Sequence, residues 1–61
     1  RDDFEYDVCV LLRLQFSPAN IAKLKKCTPA YITQIRRAIY KKLFQKEGRA
    51  DDLDEYILSL S

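Results

Sequence analysis

The chain has 61 residues, of which 48 % are hydrophobic and 33 % charged, with one Gly, two Pro, two Cys and no His, Met or Trp. That is room for one small domain with a marginal core and enough apolar content to fold rather than stay disordered. The longest apolar run, Val8 to Leu12, is far short of the ~20 residues that span a membrane, and no secretory signal is visible. The first residue is Arg1 rather than Met, as expected of a piece cut from a longer protein.

The net charge of +2 conceals a segregation. Residues 1–16 hold two cations against four acids, residues 17–49 nine cations against Glu47 alone, and residues 50–61 four acids and no cation. A basic centre between acidic ends is expected to turn a surface towards a polyanion. Cys9 and Cys27 are too few for a disulfide scaffold. With no His beside them they do not make a zinc site of the usual kind. They read as small apolar side chains in a reducing, cytoplasmic compartment.

Four helices are expected in chain order, and no strand-like alternation competes with them. Asp2 and Glu5 offer a capping box, after which Phe4, Val8, Leu11 and Leu12 recur at helical spacing with Val10 and Leu14 beside them. The first helix therefore covers about 3–15 and is apolar over more than half its girth, which places it at the centre of the core or against a partner. Ser17-Pro18 starts a second helix over 17–26: the hydroxyl caps, and Pro fits the first turn. Thr28-Pro29 repeats the device for a third helix over 28–44. Phe16 with Ile21 and Cys27 with Ile32 are the matching hydrophobic staples. Gly48 breaks the chain. Asp51 or Asp52 then caps a fourth helix over 52–60, with Asp52 and Glu55 as a capping box and Leu53, Tyr56, Ile57 and Leu60 on one stripe.

A short helix, a tight turn and a longer helix thus follow one another. On a helical wheel of the third helix, Ile35, Ile39 and Leu43 fall within about 60° of Ile32 and define the core side. Ala30, Gln34, Arg37 and Lys41 lie opposite, with Thr33 on the flank. Tyr31 and Lys42 border that outer face on one side and Tyr40 on the other. A small residue at the start, followed by amide and basic groups, suits a helix laid in the DNA major groove. There Gln pairs with adenine, and Arg or Lys with guanine. Any one exposed Lys or Arg commonly faces only solvent; here it is the combination with two Pro-opened helices and the charge segregation that points to duplex DNA.

From Phe16 to Leu43 the chain resembles the C-terminal DNA-binding domain of LuxR/NarL-type bacterial regulators. The resemblance rests on Ser17, Ile21-Ala22, Thr28, Ile32 and the run Ile39-Tyr40-Lys41-Lys42-Leu43, without gaps, over nearly half the chain. Sigma-factor promoter-recognition domains share much of this pattern. Lys25 stands where the family usually has Leu, Ile35 where it has a polar residue, Arg36 where it has an apolar one, and Gln15-Phe16 where it has a Gly-containing approach. The resemblance implies an all-α, four-helix helix-turn-helix fold and sequence-specific binding of double-stranded DNA as the output domain of a transcriptional regulator, under an N-terminal sensor or regulatory region. It puts base contacts on Ala30, Tyr31, Thr33, Gln34 and Arg37, with Lys41 on phosphate. Thr28, Tyr40 and Lys42 are further expected phosphate contacts.

Catalysis is not expected: there is no His base, no phosphate-cradling glycine loop and no nucleophile with an evident activator. No cofactor, metal or membrane contact is expected either. The competing expectation is a protein-interaction module that uses the first and fourth helices, whose apolar surface exceeds what so short a monomer easily buries. A homodimer through Leu53, Tyr56, Ile57 and Leu60 would serve DNA binding too, because helix-turn-helix proteins commonly pair on two half-sites.

Overall fold

A computed structural model describes residues 3–60. They form α1 (Phe4–Arg13), α2 (Pro18–Lys25), α3 (Pro29–Phe44) and α4 (Ala50–Ser59), and no strand occurs among the described residues. None of these helices is long and apolar enough to cross a membrane. The 16-residue α3 is the hub: it packs against α4, α2 and α1, and α1 also reaches α4 and α2.

Local chemistry sets most helix boundaries. Ser17 Oγ accepts from Asn20 N at 3.2 Å, and Thr28 Oγ1 accepts from Tyr31 N at 3.1 Å, so each hydroxyl satisfies an N–H that the first helical turn leaves open. Pro18 and Pro29 follow them in the first turn. The expected cap at Asp2 lies outside the described residues, and α1 starts after Asp3 without a side-chain cap bond.

The helix ends depart further from expectation. The first helix closes at Arg13, because Gln15 turns left-handed (φ 70°) while Phe16 N bonds to Leu11 O and Gln15 N to Leu12 O. This is the Schellman arrangement. Lys26 (φ 58°) closes α2 the same way, with Cys27 N on Ala22 O and Lys26 N on Lys23 O. Gln45 (φ 56°) ends α3 with a single bond to Lys41 O. All three left-handed residues carry a Cβ, and the one glycine does not share their conformation. The last helix begins two residues before the expected start: Arg49 is its N-cap, and Asp52 is its third helical residue, accepting from Arg49 N at 2.9 Å. The expected box of Asp52 with Glu55 is thereby replaced by half a box: the Asp52 carboxylate accepts from Arg49 N, while Asp52 N bonds to the Arg49 backbone carbonyl rather than to a side chain.

One core cluster joins Val8 and Leu12 of α1, Ile21 and Ala22 of α2, Ile32 and Ile39 of α3, and Leu53 and Ile57 of α4. Phe4, Cys9, Leu11, Cys27, Ile35 and Tyr40 pack around it, half-buried. Both thiols are free, and burial, with help from Glu5, pushes the Cys9 thiol up.

The expected core stripe of α3 is corrected at two positions. Leu43 is 53 % exposed, and Arg36 is 5 % exposed in its place. The last turn of α3 is only partly covered, so Leu43 borders an open apolar groove with Val10, Leu14, Tyr56 and Leu60. Arg36 faces α4 instead. Its Nε donates to Asp54 Oδ1 at 3.0 Å, its Nη2 donates to Asp54 Oδ2, and the same Nη2 reaches Asp51 Oδ1 at 3.3 Å. A guanidinium fork on one carboxylate is the geometry that makes a buried arginine tolerable.

Candidate nucleic-acid interface

The turn between α2 and α3 consists of Lys26, Cys27 and Thr28, and it holds the start of α3 at the surface. Of the expected base contacts, Ala30, Gln34 and Arg37 are exposed, Thr33 is half-buried, and Lys41 is exposed a turn beyond Arg37. Gln34, Arg37 and Lys41 line one shallow crevice on the outer face of α3, together with Ala38 and Glu47. Ala38 and Glu47 escaped the sequence reading. Ala38 lies one helical turn from Gln34 on the same face, which the wheel alone would have revealed. Glu47 lies past the helix end, and its arrival depends on how the chain turns at Gln45.

The flanking residues go elsewhere. Tyr31 is stacked on Phe4 of α1, with ring centroids 5.6 Å apart and planes 18° from parallel. Lys42 Nζ donates to both carboxylate oxygens of Glu5 at 2.9 Å. These two therefore face α1 rather than the crevice. Tyr40 is half-buried, with its ring 4.5 Å from that of Phe44 and close against Gly48. The Thr28 hydroxyl is exposed, and its oxygen already serves the cap of α3.

Charge is less segregated in space than along the chain. Acids from both ends fold back onto the basic centre: Glu5 onto Lys42, Asp7 onto Lys25 at 2.8 Å, and Asp51 and Asp54 onto Arg36. Lys25 Nζ also lies 5.2 Å from the Phe4 ring centroid, a cation–π contact. Lys41 pairs with Glu47 at 3.0 Å. Its hydrogen bond and its charge, with Arg37 adding to them, hold the Glu47 carboxyl below the usual range.

The expected dimer stripe on α4 is corrected as well. Leu53 is fully buried in the core, Ile57 is buried beneath the groove that Leu43 borders, and Tyr56 and Leu60 are exposed. Tyr56 meets Phe44 edge-on at 5.0 Å.

Comparison of the chain with protein-family models, with curated proteins and with solved structures yields no match.

Proposed function

We propose that the chain binds double-stranded DNA sequence-specifically through the outer face of α3, as the output domain of a cytoplasmic bacterial transcriptional regulator of the LuxR/NarL type. The observation that carries this reading is the convergence of Gln34, Arg37 and Lys41 on one exposed face of a helix that follows α2 across a three-residue turn. Ala30, small and exposed in the first turn of α3, leaves room for the helix to approach the groove floor. Gln34 and Arg37 supply base-reading donors and acceptors, and Lys41, a turn later, reaches backbone phosphate. Lys23 and Lys26, exposed on α2 and the turn, add long-range attraction. A regulatory region elsewhere in the same protein supplies the signal.

The test is an electrophoretic shift of a mixed-sequence 25-base-pair duplex at low and physiological salt. The chain is expected to shift it at low salt and to lose affinity steeply as salt rises. Arg37→Ala/Lys41→Ala is expected to bind about tenfold or more weakly, with a slope of log affinity against log salt shallower by about one. Equal affinity of the double variant and the parent removes the groove assignment.

A second reading is favoured by one observation. Val10, Leu14, Leu43, Tyr56 and Leu60 form an exposed apolar groove across α1, α3 and α4, and exposed apolar surface of this kind marks protein contacts. It suits self-association on two half-sites, with Tyr56 and Leu60 as the contacts that α4 contributes.

A further inference from the structure

The outer face of α3 carries a carboxylate that DNA binding does not call for. Glu47 stands in the same crevice as Gln34, Arg37 and Lys41, and its Oε2 lies 3.0 Å from Lys41 Nζ. Its position is built rather than incidental. The left-handed turn at Gln45 directs the chain back along α3, and the next residue but two, Gly48, is pressed against the Tyr40 ring. Glu47, between them, is thereby held level with Lys41 instead of trailing into solvent. Lys41 and Glu47 remain 64 % and 72 % exposed, so the pair can open when something better is offered.

Resting on the DNA-binding reading of this face, we propose that Glu47 restrains binding to duplex DNA of arbitrary sequence by neutralising Lys41. Non-specific affinity is almost entirely the release of counterions by cations placed on phosphates. A lysine already held by a carboxylate contributes one cation fewer to that sum. The hold is modest, because exposed ion pairs are worth at most about fivefold in an equilibrium. A phosphate oxygen seated at hydrogen-bond distance displaces the carboxylate, whereas a loosely docked duplex does not. Glu47 thus taxes weak encounters on the face where Gln34 and Arg37 read bases. The other last-turn lysine, Lys42, is also paired, but with Glu5 on the side facing α1, away from this crevice.

The experiment compares the 61-residue chain with Glu47→Gln and with Glu55→Gln, using a random-sequence 25-base-pair duplex over a salt series. Both substitutions raise the net charge by one unit. Glu55 is exposed on α4, which packs on the Arg36 side of α3 and not on the outer face. The proposal expects Glu47→Gln to bind about three- to fivefold tighter, with a slope steeper by about one, and Glu55→Gln to stay within about twofold of the parent. Equal gains in both variants reduce the effect to net charge and overturn the proposal. No gain in Glu47→Gln, with the parent binding normally, overturns it while leaving the DNA-binding reading intact. Failure of all three proteins to bind at low salt overturns the DNA-binding reading itself. Far-ultraviolet circular dichroism confirms that both variants retain the helical fold.

Discussion

Arg36 and Arg37 are neighbours in the chain and opposites in the fold. Arg36 points into the α3–α4 contact, is 5 % exposed and is held by Asp54 and Asp51. Arg37, about 100° further round the helix, lies in the outer crevice beside Lys41. The same guanidinium therefore serves two different purposes. Inside, its value depends on a partner carboxylate, because removing one half of a buried pair leaves a stranded charge. Outside, it is hydrated, and its value for stability is small. The difference shows that counting cations overestimates what is free to meet a phosphate: Lys25, Arg36, Lys41 and Lys42 are all engaged by acids of this same chain.

The largest effect should come from separating those two environments. Asp54→Ala leaves Arg36 buried beside Asp51 alone and is expected to cost about 3 kcal/mol, a large fraction of the stability of so small a domain. Arg37→Ala is expected to fall within about 0.5 kcal/mol of the parent. Urea midpoints measure both, and similar midpoints for the two variants would erase the contrast. Arg36→Met/Asp54→Ala should recover most of the loss, since an apolar pair can replace a buried ionic one.

A smaller effect on the inner side is expected from Ala22→Leu. Ala22 is buried in the core cluster that α2 shares with α3, and the added atoms should overpack that contact at a cost of ~1–3 kcal/mol. An unchanged thermal midpoint would show that the α2–α3 contact has slack.

A further effect, on the exposed turn, has the opposite sign. Lys26→Gly relieves a Cβ from a left-handed conformation in the exposed turn and should raise stability by about 1 kcal/mol. A calorimetric midpoint that falls instead would mean the Lys26 side chain contributes more than its backbone costs.

The legible parts of this fold are those whose cause and effect lie close together in sequence. Ser17 and Thr28 could be read as caps because the N–H groups they serve are three residues away. The apolar stripe of α1, with Val8 and Leu12 buried and Phe4 and Leu11 half-buried, could be read because a helix repeats its faces every few residues. Arg36 could not, since its carboxylate arrives from 18 residues further on and makes a core position of what the apolar pattern leaves polar. Leu43 has an inward angle on the wheel, yet an angle says nothing about whether a neighbouring helix extends far enough to cover it. For the candidate interface, Gln34, Arg37 and Lys41 follow from helical geometry alone. The engagement of Lys42 by Glu5, 37 residues away, and the return of Glu47 beside Lys41 follow from tertiary packing and turn conformation.

Gly48 carries neither charge nor hydrophobicity and bears on a line of three aromatic rings. A Cβ there would run into the Tyr40 ring. That ring lies against Phe44, which in turn meets Tyr56 of α4 edge-on. Every other amino acid has a Cβ, so no missense change of this codon is spared the collision. Polar and apolar replacements alike must displace Tyr40 and disturb the aromatic link between two helices. In a saturation library of this chain, position 48 would separate by one carbon atom what most surface positions separate by chemistry.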